Sequence, residues 1–362
     1  MSGDLDLLPT EVEEDLRTTV RDLLTDRCDP TVVTGVYDGE RAIVDDLWKA
    51  LSVELGLAGL LVPEERGGHG ASAREAAVVL RELGRTTAPV PFLTSAVIAT
   101  TVLLDSDAEL LTELAEGART AALVVPWSTD PDGAICAIRN QGGLSGSVTS
   151  VAGALEADVL LVPVESAGGL EIHAVAATDA VIAPVVSLDM TRQLADITFE
   201  GATGTLVLAD AEAAVRNALR TGAGLLASEQ AGLAQWCLEE TVAYLKVRRQ
   251  FGRIVGGFQA LKHRLADLYS SVESASAAAQ YAAAALAEGD ADIPVAVAVA
   301  QSYCSDLAVL AAEEAIQLHG GIGMTWEHPA HLYLKRAKSD QIALGTPGIH
   351  RAALAPLIDL TP

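Results

Sequence analysis

The chain has 362 residues, half of them hydrophobic, and carries 24 Lys and Arg against 49 Asp and Glu for a net charge of −25. That acidic surplus argues against nucleic acid and anionic membrane as main partners, since both are polyanions, and the apolar content excludes intrinsic disorder. Aromatics are only 4%, so Ala, Val and Leu must build the core, and the length suits two or three domains.

Residues 1–115 are predicted to be helical. Acidic residues crowd a helix start after Pro9-Thr10, and Leu16, Val20, Leu23 and Leu24 recur at helical spacing. A second helix runs through Val44, Leu47, Trp48, Leu51 and Leu55 and stops near Gly56. The turn-rich segment Glu64 to Gly70 follows, and a third helix covers about Ala73 to Leu83. Residues 116–212 change texture. Short Val-rich runs (Ala122–Val125, Val159–Val162, Leu170–Val175) alternate with turn signals at Asp132-Gly133, Gly142-Gly143 and Gly168-Gly169. This is the pattern of a β-barrel or sandwich. Residues 213–362 return to Ala-rich helices. Ala211 to Val247 lacks Pro, Phe258 to Ala287 stops at Glu288-Gly289-Asp290, and Pro294 opens a helix that ends before Gly320-Gly321. The expected fold is α+β, with a helical domain, a β domain and a four-helix bundle.

Cys28, Cys136, Cys237 and Cys304 are widely spaced and read as reduced thiols. Met1 to Pro9 has no signal-peptide pattern, and the apolar run Ile293–Ala300 falls short of the roughly 20 residues that span a bilayer. A cytoplasmic protein with no membrane association is therefore expected.

Two clusters could carry chemistry. Arg248-Arg249-Gln250-Phe251-Gly252, with Phe258-Gln259, could hold a phosphate bidentately at the end of a long helix, or could simply offset that helix's dipole. Gln317-Leu318-His319-Gly320-Gly321-Ile322-Gly323 could bring backbone amides to a ligand, or could be a helix cap. Lys338 to Thr346 is a third Gly-punctuated stretch.

Taken together with Leu57–Gly70, which contains Val62-Pro63-Glu64-Glu65 and Gly67-Gly68-His69-Gly70, these stretches resemble the acyl-CoA dehydrogenase family over nearly the whole chain. The middle stretch, with Leu265-Ala266-Asp267, resembles its "R..FG…FQ…LAD" segment, and Gln317 to Pro329 resembles its "Q..GG.G.T.E.P" segment. The resemblance implies FAD, acyl-CoA thioesters, a Glu base for the α-proton, and hydride transfer to flavin. In this chain the turn that usually carries that Glu reads Ala343-Leu344-Gly345-Thr346, with Leu344 at the base position. The alternative base position on the long helix is Gly222, and a neighbouring family Arg is replaced by Ala223. Neither Leu nor Gly can accept a proton. The family's flavin-binding loop is replaced by Pro126–Gly133, and its flavin-facing strand by Ser150-Val151-Ala152.

The residues that in the family reach a neighbouring subunit's FAD are kept: Arg248, Gln317, Gly320 and Gly321, with Phe251 and Gln259 beside them. The resemblance then extends to the α2β2 steroid-type members, in which two unlike chains share each FAD. It implies a second acyl-CoA dehydrogenase-like subunit that binds most of the acyl-CoA, and a separate electron-transfer acceptor. Two other readings are a homo-oligomeric flavoenzyme with a relocated base such as Asp340, and a non-catalytic scaffold. Asp340 itself reads as a solvated surface residue, Glu239-Glu240 as an exposed helix face, and Glu327 as structural. His263 and His319 read as packing or hydrogen-bonding residues, and Lys246, Lys335 and Lys338 as members of surface pairs. His328 and His331, three apart, make no metal site without further ligands, so no metal is expected.

Overall fold

The computed structural model describes residues 5–140 and 142–360, so the first four residues of the Met1–Pro9 stretch lie outside it. Six helices come first: α1 (Glu11–Arg27), α2 (Pro30–Gly35), α3 (Ala42–Lys49), α4 (Ala73–Thr86), α5 (Thr100–Leu103) and α6 (Leu110–Ala115). α1 and α4 each open with a capping box. Thr10 with Glu13, and Ser72 with Glu75, satisfy each other's backbone amides, a device worth about 1 kcal/mol at a helix start. The expected second helix is α3 continued by a wider turn over Ala50–Glu54, and Gly56 at φ 70° ends it. A buried, wide-wound segment, Phe92–Ala99, leads into α5.

The middle region forms one mixed eight-stranded sheet of β1 (Ala121–Leu123), β2 (Ile138–Asn140), β3 (Leu144–Ala152), β4 (Val159–Ser166), β5 (Gly169–Ala176), β6 (Val181–Val185), β7 (Leu194–Ala202) and β8 (Thr205–Leu208). The order is β6-β7-β3-β2-β4-β5-β8, with β1 parallel to β4. β4 explains the continuous Val-rich run. Its Leu160, Val162 and Val164 face a core of the sheet's own, with Val148, Val151, Ile197 and Phe199. Its Val159 and Leu161 join the main core shared with the helices. A strand covered on both faces needs no polar alternation.

The bundle comprises α7 (Glu212–Val247), α8 (Gln259–Glu288), α9 (Ile293–His319), α10 (Ala330–Ile342) and α11 (Pro347–Leu357), with a small hairpin of β9 (Arg249–Gln250) and β10 (Arg253–Ile254). Gly289 in the left-handed region ends α8 at the expected place. α4 presses directly on α7. A Cβ at Gly84 would stand 2.1 Å from the Glu229 carbonyl oxygen, and one at Gly232 would stand 2.0 Å from that of Arg81. The segment Ile293–Met324 contains a window of mean hydropathy 1.5, apolar and long enough by composition to cross a membrane, which the run Ile293–Ala300 alone had not indicated. Two-thirds of that window is buried inside the protein, where α9 packs against α7, α8, α10 and α11. The chain is α+β, with an N-terminal helical domain, a central sheet and a C-terminal helical domain.

Candidate functional site

Leu344 and Gly222 face each other across the junction of sheet and bundle. A Cβ at Gly222 would lie 2.8 Å from Ile98 and 3.2 Å from the Leu344 side chain. Leu344 is buried, at φ 53°, and its amide donates to the Trp127 carbonyl at 2.8 Å. The Trp127 amide in turn donates to the Ser150 carbonyl at 2.8 Å. Two backbone hydrogen bonds therefore tie the turn after α10 to strand β3 through a single tryptophan. The cavity left between Ile98, Trp127, Leu219 and Leu344 is about 20 Å³, space for one or two waters. Small-molecule pockets run to about 300 Å³ or more. The Pro126–Gly133 loop is anchored to α7 as well, since Arg216 donates to the Pro131 and Gly133 carbonyls and Arg220 pairs with Asp132. The isoalloxazine end of an FAD does not fit this space.

The second feature is a buried charge cluster that the sequence reading missed. Arg192, on the loop before β7, donates to Glu229 of α7 at 2.6 Å and to Asp340 of α10. Arg336 bonds Glu229 at 2.6 Å, Asp189 at 2.9 Å and Thr191 at 2.7 Å. The reading of Asp340 as a solvated surface residue is corrected here. It is fully buried, because α10 turns Arg336 and Asp340, one helical turn apart, toward the core. Two guanidiniums face three carboxylates, so one carboxylate has no counter-charge of its own. Burial, opposed by Arg192 and reinforced by repulsion from Glu229, pushes Asp340 up to about 7. Burial also acts against ionised Glu229, but Arg192 and Arg336 outweigh it and hold that group below its ordinary value. Arg192 bonds one carboxylate oxygen of Asp340, and the other oxygen is buried without a hydrogen-bond partner. The sequence signal was available, since Glu229 is an acid inside an otherwise apolar stretch of α7.

At the far end of the bundle the arrangement is open. Arg248 caps α7 and is exposed, and Phe251 is 87% exposed on the tip of the β9–β10 hairpin, at φ 51°. Phe251 meets Phe258 edge-on at 6.2 Å. Gln259 starts α8 and bonds His263 at 3.2 Å. Gln317 lies exposed in the last turn of α9, and Gly320 and Gly321 follow with free space where a Cβ would be. Gly320, at φ 65° and ψ −138°, needs to be glycine. Tyr244, one turn before Arg248, lies over the ring of His319 at 4.4 Å, which brings the ends of α7 and α9 together. These residues suit the phosphate and adenosine end of a dinucleotide, with Arg248 as the permanent charge and the glycines as the close approach.

Other candidates fall out as follows. Among the described residues Lys335 has no carboxylate partner; it sits over Trp326 at 3.9 Å and Tyr37 at 4.2 Å, which differs from the surface-pair reading. Lys338 pairs with Glu313 at 3.2 Å, while Lys246 makes no ion pair among the described residues. Glu239 is exposed and pairs with Arg85, whereas Glu240 is half-buried. Glu327 is exposed. All four cysteines are free, and Cys28, Cys237 and Cys304 are buried.

The succession of helical domain, central sheet and helical bundle is the architecture of the acyl-CoA dehydrogenases. Residues 10–112 match the acyl-CoA dehydrogenase N-terminal domain and residues 212–357 the acyl-CoA dehydrogenase C-terminal domain. The chain belongs to the acyl-CoA dehydrogenase family, whose members are flavin-dependent oxidoreductases. It is 36% identical over 346 residues to the acyl-CoA dehydrogenase IpdE2 of Mycobacterium tuberculosis, covering 94% of this chain and 95% of that one. Among solved structures, the ChsE4–ChsE5 complex of Mycobacterium tuberculosis is similar at TM-score 0.87 and 25% identity, covering 99% and 100% of the two chains. The Tcur3481–Tcur3483 steroid ACAD, in its G363A variant, is similar at TM-score 0.84 and 26% identity, covering 96% and 98%.

Proposed function

We propose that this chain is the subunit without a catalytic base in a heteromeric, FAD-dependent acyl-CoA dehydrogenase. The single observation that carries the reading is the closed space between β3 and the Leu344 turn, where Trp127 takes the backbone bonds of both sides. A second acyl-CoA dehydrogenase-like subunit supplies the Glu, the flavin-ring pocket and the acyl-CoA groove. When bound, FAD supplies the hydride acceptor for α,β-dehydrogenation. This chain's part is to grip the phosphates and adenosine with Arg248 and Gln317, to let the backbone approach at Gly320 and Gly321, and to cover them with Phe251. Gln259, at the start of α8, joins them as a polar contact to the cofactor. A steroid-type acyl-CoA is the proposed substrate class, with support from the similarity to a steroid ACAD structure. Electrons leave to a separate carrier. An α2β2 assembly follows from the pairing of unlike chains, and a cytoplasmic setting is consistent with three buried free thiols.

The test is flavin absorbance with mass by light scattering, on the chain alone and co-expressed with a candidate partner. The reading expects a colourless chain that forms a yellow tetramer only with the partner. A yellow, active homo-oligomer overturns it.

A further inference from the structure

We propose that Glu240, His319 and His328 form a binding site for one divalent transition-metal ion of the zinc type. The three residues come from three elements: Glu240 from α7, His319 from the last residue of α9, and His328 from the loop entering α10. One ligand atom from each lies within 4.8 Å of the others. The spacing that failed to make a site from His328 and His331 is thus replaced by a tertiary one, with His319 a short loop away and Glu240 far away in sequence.

The state of His319 is the main argument. It is 3% exposed. Its Nδ1 bonds the Ala315 carbonyl at 2.7 Å, so Nδ1 carries the proton and Nε2 the lone pair. That Nε2 is buried and has no hydrogen-bond partner. A carbonyl on one imidazole nitrogen, with the other aimed at an ion, is the arrangement that fixes metal-binding histidines. The His328 ring lies 4.0 Å from that of His319, yet no hydrogen bond joins the two imidazoles or either of them to Glu240. One ligand atom of each of the three side chains thus stands near the others without a hydrogen bond among them.

Two imidazoles and one carboxylate suit zinc or cobalt and leave a fourth position for water. A tetrahedral ion holds its ligands about 3.3 Å apart, so the side chains must close inward on binding. His328 Nδ1 now accepts the Ala330 amide at 3.2 Å. Ligation through Nε2 would move the ring proton to Nδ1 and give up that bond. The ion would fasten the end of α7 to the end of α9 and to the α10 entry loop, directly beneath Gly320 and Gly321. Its role is therefore to hold the loop in place.

The probe is Co²⁺ alone, titrated into the chelator-stripped, tag-free full chain and followed by its visible d–d bands, with Zn²⁺ then added as competitor. One Co²⁺ per chain, displaced by Zn²⁺, is expected. Glu240→Gln and His328→Ala should each weaken binding about 100-fold, while His69→Ala, on the N-terminal domain, should leave it unchanged. His319→Ala removes a buried ring and could cost the fold, so the two half-buried positions decide the matter, with circular dichroism as the check on folding. Absence of d–d bands at millimolar Co²⁺ overturns the proposal, as do bands that persist unchanged in both Glu240→Gln and His328→Ala. Neither result bears on the shared-FAD reading, because no flavin or partner is present.

Discussion

Two turns of the same bundle, one after α9 and one after α10, have met opposite fates. At Leu344 the backbone amide, the side chain and the facing helix are all consumed by internal contacts, and about 20 Å³ remains. At Gly320 the chain has a conformation reserved for glycine, and nearby Arg248 and Phe251 at the end of α7 and on the hairpin face solvent. On the shared-FAD proposal the first turn is filled by packing, while the second keeps its groups facing outward.

The comparison breaks most readily at the charge cluster behind the closed turn. Arg336→Met removes the bonds to Glu229 and Asp189, leaving Asp189 without a counter-charge and Arg192 alone against Glu229 and Asp340. It should cost about 3–5 kcal/mol, read as a lower urea midpoint at unchanged slope. Leu344→Glu puts a base back at the family's position. It should give no turnover in the chain alone, because no acyl group can reach it, and should lower stability by about 3 kcal/mol as an uncompensated charge is buried. Activity from that variant without a partner would mean that the space opens. At the other turn the expected effect on folding is small and that on ligand large. Arg248→Glu should shift stability by less than about 0.5 kcal/mol yet strip most FAD from the co-expressed complex, and unchanged flavin content would favour a scaffold. A pH-dependent effect concerns Asp340. Its folded value is raised, so its contribution to stability is complete below the ordinary carboxylate range and is lost as pH rises toward about 7. Asp340→Asn should flatten the melting temperature against pH between about 4 and 7.

Much of the fold was legible in the residues themselves. Thr10 with Glu13 announces α1, the glycine at 289 ends α8, and Val-rich runs mark β4 and β5. Leu344 and Gly222, at the two positions where the resemblance puts a base, were legible too, because that is a matter of which residue stands there. The closure was not, because it is made by the backbone of Trp127, and backbone bonds across domains leave no trace in composition. Asp340 misled for a different reason. The stretch Lys335-Arg336-Ala337-Lys338-Ser339-Asp340 looks water-facing as a string, and only the helical turn between Arg336 and Asp340 puts both inside. The convergence of His319, His328 and Glu240 was equally hidden, since it depends on where three helix ends meet.

A chain so poor in aromatics has four tryptophans, and their placement gives it an optical property. Trp127 is enclosed at the closed turn with the Arg192 guanidinium 5.2 Å from its ring centre, while Trp326 is 62% exposed beside Lys335. Iodide should quench emission from Trp326 and spare Trp127. The two ends of the bundle can thus be watched separately by fluorescence, without any label.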